Sequence, residues 1–161
     1  MIRLAQEKDI PTILAIFEVA KIYMSRRGNL NQWTADYPGL ASVENDLNQQ
    51  ALYVLEENQE ILAVFSLILE PEVNYQRIEG SWRSSQAYGS IHRLASNGQA
   101  KGVAKRCFDF CKEQIPYLRI DTHEDNLPML AALTRYGFVH CGIIYLEDGS
   151  PRLAFDYLAH S

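Results

Sequence analysis

Hydrophobic and polar positions along the chain follow two periods, and the switches between them mark the elements. Ile2-Arg3-Leu4 reads as a short strand. Ile10, Ile13, Leu14, Phe17 and Ala20 then recur at helical spacing, so a helix is predicted to about Met24. Asp9 stands before it as an N-cap and Pro11 near its first position. Residues 25–42 carry Gly28, Asn29, Asn31, Pro38 and Gly39 and read as loop or broken helix. Ser42 then caps a short second helix to about Gln50. Tyr53–Glu56 and Ile61–Glu70 form a hairpin, and the polar residues 71–86 read as an inserted loop. Ala87–Ala95 is a fourth strand. A third helix follows from about Gly102 to Gln114, with Val103, Cys107, Phe110 and Cys111 on one apolar stripe. Leu118–Asp121 is a fifth strand, and Asn126–Tyr136 a fourth helix ended by Gly137. Phe138–Tyr145 and Arg152–Leu158 are a last pair of strands about a hairpin turn at Glu147–Ser150.

The order β-α-α-β-β-β-α-β-α-β-β predicts a mixed α/β fold. Its middle needs parallel crossovers and its ends are hairpins. A length of 161 residues fits one domain over 1–161, and 47% apolar with 22% charged residues is ordinary globular composition. A net charge of -5 argues against nucleic acid as a partner. The longest apolar run, Ile61 to Leu69, is too short to cross a bilayer, and Arg3, Glu7, Lys8 and Asp9 break any signal-like run. A cytoplasmic protein with no membrane partner is therefore expected. Cys107 and Cys111 share a helix face as small buried side chains, and Cys141 completes no metal-ligand spacing, so no metal is predicted.

The most informative stretch is Ile91 to Ala104, a strand, a tight turn and a helix start containing Gln99-x-x-Gly102-x-Ala104. The first amides of a helix lack internal partners and the helix dipole is positive there, so such a turn suits phosphate. Lys101, Lys105 and Arg106 add positive charge. The plainer reading is a glycine that merely permits the turn.

That order of elements, with Q-x-x-G-x-A after the fourth strand, resembles the GNAT superfamily of acyl-CoA-dependent N-acetyltransferases. Asn126 opening the fourth helix and Tyr136-Gly137-Phe138 closing it resemble the family's second motif, and the likeness spans nearly the whole chain. It implies a central mixed sheet of about seven strands flanked by four helices, with acetyl-CoA held where the fourth and fifth strands splay. Backbone groups of Leu94, Ala95 and Ser96 would pair with the pantetheine arm. Amides of Gln99, Ala100, Lys101, Gly102, Val103 and Ala104 would hold the pyrophosphate, and Asn126 would bond the pantetheine. Two departures stand out. The turn Ser96-Asn97-Gly98-Gln99 is about two residues shorter than the common family loop, and Leu133 occupies the place of the family's thiolate-protonating tyrosine.

The implied reaction is transfer of an acetyl group from acetyl-CoA to an amine of a small molecule or peptide, by direct attack in a ternary complex. The alternative is an inactive acyl-CoA-binding sensor or an interaction domain. His92 is the first candidate base, because its ordinary pKa lies near neutrality and His92-Arg93-Leu94-Ala95 resembles the His-x-Leu-Ala of arylalkylamine acetyltransferases. Its other reading is a histidine held in the sheet, with Ser90 on the same strand face. Tyr145 is the candidate acid, against Tyr136 or water. Trp33 and Tyr37 are candidates for the acceptor pocket, or else anchors that pack their loop. His123 reads as part of a solvated loop. The resemblance also allows the last strands to pair between two copies in a homodimer.

Overall fold

The strands form one mixed sheet. In chain order they are β1 (Ile2–Leu4), β2 (Leu52–Glu57), β3 (Glu60–Ile68), β4 (Glu79–Gly80), β5 (Gly89–Ser96), β6 (Tyr117–Thr122), β7 (Val139–Tyr145) and β8 (Pro151–Leu158). Across the sheet they run β1-β2-β3-β5-β6-β8-β7-β4. The helices are α1 (Ile10–Arg26), α2 (Leu40–Asn48), α3 (Val103–Gln114) and α4 (Leu127–Tyr136). This computed structural model describes residues 1–159.

Alternation along the strands sends side chains to two differently covered faces. On one face Phe65, Leu67, Ile91, Leu118, Ile120 and Phe155 pack under Val103, Cys107, Phe108 and Cys111 of α3 and Leu133 of α4. On the other, Leu52, Val54 and Val64 pack under Ile13, Ile16 and Phe17 of α1 and Val43 of α2. Those helices reach only half of that face. The half over β6, β8 and β7 is covered by residues 75–88, whose Tyr75, Ile78, Trp82 and Tyr88 pack on Ile144 and Ala154.

The segment read as an inserted loop is therefore a covering layer with its own order. It carries a 3-10 turn at Val73–Tyr75 and the eighth strand, β4, one more than expected. That strand lies so close to β7 that a Cβ on Gly142 would sit 2.1 Å from the Glu79 carbonyl oxygen, so glycine is required there. Asp156 fastens the segment down. It is fully buried and accepts from the Arg83 amide at 3.0 Å, Arg83 Nε at 2.6 Å and the Tyr117 hydroxyl at 2.7 Å. Arg119 adds a second fastening, its guanidinium 4.3 Å from the Trp82 ring centre and 4.1 Å from that of Tyr88.

Two expectations change. Asp9 does not cap α1 with its side chain, because Arg3 claims it at 2.8 and 3.1 Å, and the Gln6 amide bonds it at 2.8 Å. The hydrogen bond from Arg3 holds its carboxyl below the ordinary range. Ser42 lies inside α2, which starts at Leu40 after Gly39. β8 is bonded to β6 on one side and β7 on the other, and β7 meets β4 only at Gly142 and Ile143.

The feature that positions the site is the parting of β5 from β6. Their parallel pairing covers only Gly89↔Leu118 and Ser90↔Arg119. Beyond that, β5 stays bonded to β3 while its other edge turns away from β6. A bulge sharpens the divergence. Ser66 pairs with His92 but Val64 pairs with Ala95, one extra residue on β5, and Arg93 takes a φ of 54° to absorb it.

Candidate active site

Two cavities open along the parted edge of β5. An apolar one of about 400 Å³ lies between α1, the end of β5, α3 and α4; Leu94, Ala95, Ser96, Ala100, Val103 and Ala104 are among its walls. A polar one of about 300 Å³ lies between the α1–α2 segment and the covering layer, with Trp33, Tyr37, Asp46, Glu72, His92 and Asp121 among its walls. Met24, Leu94, Asn126 and Met129 line both, so the cavities adjoin there.

At the far end of the apolar cavity α3 begins. Gly102 is its N-cap with a φ of 71°, a backbone shape that suits glycine. A Cβ there would meet no protein atom, so the chain itself imposes only the φ. The first helical bond runs from Arg106 N to Gly102 O, which leaves the amides of Val103, Ala104 and Lys105 without an intrahelical carbonyl. The shortened turn is tied by its own side chains, Gly98 N to Ser96 Oγ at 3.3 Å and Gln99 N to Asn97 Oδ1 at 2.9 Å. The Gln99 amide is therefore occupied, contrary to expectation, and Gln99, Lys101 and Gly102 form the exposed outside of the turn. Lys105 and Arg106 are engaged by Asp109 and Glu57. Asn126, at the junction, caps α4 through Met129 N at 3.3 Å and donates to Gln32 Oε1 at 2.9 Å. These contacts use one of its two side-chain N–H donors and one lone pair of its oxygen.

The polar cavity holds more chemistry than the sequence suggested. Asp121 Oδ2 accepts from the Tyr75 hydroxyl at 2.7 Å. Burial raises its carboxyl pKa above the ordinary value, against the pull of that hydrogen bond and of Arg152. Asp46 is closed off by Arg93 Nη2 at 2.6 Å and Ser66 Oγ at 2.6 Å, and Arg93 also donates to the Tyr37 hydroxyl at 3.0 Å. Trp33 meets Phe17 edge-on at 5.8 Å, so it both anchors its loop and lines the cavity. Thr122 Oγ1 is buried and has no partner among the described residues. Asp121, Thr122, Glu72 and Arg152 all line this cavity, and no site role was expected of them. The signal was alternation. Arg119 and Asp121 on β6, and Arg152 and Asp156 on β8, fall on the face opposite Ile120 and Phe155, so charge was being sent to a buried surface.

His92 lies on this wall, its Nε2 2.9 Å from Ser90 Oγ and 3.9 Å from Glu72 Oε2, its ring stacked on Tyr75. Burial, helped by Arg93, pushes its pKa down to about 4. The imidazole is thus neutral at working pH and a weaker base than expected. This depression has a stability consequence. Between pH 6.5 and 4 the unfolded chain takes up a proton that native His92 refuses, so stability falls with pH over that window by up to about 3 kcal/mol. Urea unfolding at pH 7.5 and 4.5 is expected to show a smaller acid loss in His92→Gln than in wild type.

The remaining candidates lie elsewhere. Tyr145 is 43% exposed on β7 and lines neither cavity, which removes it as the acid. Tyr136 donates to Asp109 at 2.6 Å within the α3–α4 packing, and Leu133 is core. His123 Nδ1 accepts from the Asp125 amide at 3.0 Å, a local loop contact. Burial raises the Cys107 thiol to about 12 and Cys111 also upward, so both are inert fillers. No described helix is long and apolar enough to cross a membrane.

No protein-family model and no curated protein matches the chain. Solved structures do. An acetyltransferase of the GNAT family from Streptococcus agalactiae aligns at TM-score 0.91 and 28% identity, over 100% of this chain and 96% of that one. A GNAT-family acetyltransferase from Listeria monocytogenes aligns at 0.73 and 16%, over 98% and 94%. The ribosomal-protein-alanine N-acetyltransferase from Brucella melitensis aligns at 0.60 and 18%, over 98% and 99%. The last two show the fold alone. The full-length likeness at 28% identity, on a chain whose own β5 and β6 part beside a helix N-terminus, gives this protein the fold of the GNAT acetyltransferases and makes it an acyltransferase of the GNAT type.

Proposed function

We propose that the protein transfers an acetyl group from acetyl-CoA to an amine of a small molecule, by direct attack within a ternary complex. The observation that carries this is the meeting of an apolar and a polar cavity at Leu94 and Asn126, on the edge of β5 that has left β6. The residues fit acetyl-CoA. The free edge at Leu94–Ser96 suits an amide-bearing arm, the apolar walls suit its methylenes, and the amides of Val103, Ala104 and Lys105 suit phosphate. A polar cavity of about 300 Å³ suits a small amine better than a folded protein surface.

Acetyl-CoA supplies the activated acetyl group. The protein's part is to hold the amine beside it and take the amine's proton. Asp121 serves best: its charge attracts an ammonium and burial strengthens it as a base. His92, neutral beside it, relays a proton through water. A backbone N–H of β5 polarises the carbonyl. Tyr37 and Tyr23 line the two cavities, but Leu133 holds the place of the family's thiolate-protonating tyrosine, and water protonates the departing thiolate.

Calorimetric titration with acetyl-CoA is expected to give saturable binding. Gly102→Asp, which strains the turn and sets a carboxylate beside the α3 amides, is expected to weaken it about tenfold or more. No binding by the wild type overturns the reading, and so does unchanged affinity in the folded variant.

A further inference from the structure

Arg152 is an unusual resident of the polar cavity. It is only 6% exposed, yet among the described residues no carboxylate makes an ion pair with it. Its Nη1 donates to the Pro151 carbonyl at 2.8 Å and its Nη2 to that of Gln32 at 3.5 Å, which engages two of its five N–H donors. Among the described residues no carboxylate touches it: both of these partners are backbone carbonyls. Asp121 shares the cavity and feels the field of Arg152, but its hydrogen bond goes to Tyr75. Asp148 lies in the turn before β8 and is bonded to the Ser150 amide. A buried guanidinium that no carboxylate touches is costly, and its free N–H donors suit a bidentate anion.

Thr122 Oγ1 gives a second, independent sign. It is a buried hydroxyl in the same cavity with no partner among the described residues. Arginine and a hydroxyl together suit a planar carboxylate. Asp121 supplies the opposite charge on the same wall.

We propose that the acceptor is an amino acid or a close analogue, its carboxylate bound by Arg152 with help from Thr122 and its amine directed to Asp121. This rests on the acetyl-transfer reading and narrows it to one substrate class. It accounts for the mixed charge of the cavity, which a simple cationic amine would not need.

The test is CoA release with acetyl-CoA and two matched sets of acceptors, the twenty L-amino acids and their decarboxylated amines. At least one amino acid is expected to exceed its own amine in kcat/KM by about a hundredfold, the scale set by one charge-paired carboxylate. In Arg152→Lys, which keeps charge but loses the planar fork, that ratio is expected to fall about tenfold, through KM for the amino acid. Equal or better turnover of the amines by the wild type overturns the proposal while leaving acetyl transfer standing, and needs no variant to fold. An unchanged ratio in Arg152→Lys also overturns it, making Arg152 a brace for the Gln32 segment. Failure of the wild type to bind acetyl-CoA removes the parent reading and this inference with it.

Discussion

Replacing Asp156 with alanine is expected to lower the free energy of unfolding by about 3 kcal/mol, roughly 10 °C in Tm. The carboxylate is wholly buried, and its removal leaves the Tyr117 hydroxyl and both donors of Arg83 without their acceptor. The cost sits toward the lower end of what breaking a buried pair costs, because the Arg83 side chain keeps 38% exposure and water recovers part of the loss. Asp156→Asn sharpens the comparison. It preserves shape and one acceptor for Tyr117 but turns an amide toward Arg83, so an intermediate loss is expected. Burial opposes the Asp156 charge, but hydrogen bonds from Tyr117 and Arg83 outweigh it and hold the carboxyl below its ordinary range. Its contribution is therefore present at neutral pH and disappears as pH falls through the depressed pKa. A functional signature accompanies the structural one. The covering layer that Asp156 fastens forms the Glu72 side of the polar cavity, so acceptor KM should rise while acetyl-CoA affinity, set across the junction, stays close to wild type. Equal unfolding energies for wild type and Asp156→Ala in urea would remove the anchor role.

The parts of this site that were readable in the sequence are those written in short range. Gly102 before an apolar-striped helix, and Asn126 before another, announce two helix N-termini one strand apart. Local turn chemistry suffices to place them. What was not readable depends on distant partners. Residues 71–86 look like a polar loop because their apolar side chains, Tyr75 and Trp82, are scattered, and only contact with Asp121 and Arg119 shows them as a layer. Asp121, read as the last residue of a strand, gave no sign of a site for the same reason, since its cover comes from Tyr75, 46 residues earlier. The bulge at Arg93 has no glycine to signal it, and it is this extra residue that turns β5 out of step beside the cavities. Tyr145 was misplaced because alternation alone does not say which face of an outer strand meets the cleft.

Asp121→Asn is expected to reduce kcat by about a hundredfold to a thousandfold while leaving acetyl-CoA affinity unchanged. Asparagine keeps the shape and can still accept from Tyr75, so the wall of the cavity survives and only the ability to take a proton is lost. Stability separates this from a structural defect. Because the folded pKa of Asp121 is raised, the native state holds its proton more tightly than the unfolded chain does. Stability therefore falls as pH rises through that pKa, and at neutral pH the buried charge is a net burden. Removing it should leave the variant as stable as wild type or more so, and a loss of both activity and stability would argue for a packing role instead. The pH profile carries the third signature. Wild-type kcat should decline on the acid side as Asp121 protonates, and that limb should be absent from the residual activity of the asparagine variant. His92→Gln is the natural comparison. With its pKa pushed down to about 4, His92 relays rather than drives the proton transfer, so its loss should cost about tenfold. If His92→Gln abolishes transfer and Asp121→Asn retains more than about a tenth of wild-type kcat, below the range a lost general base allows, the two roles are reversed.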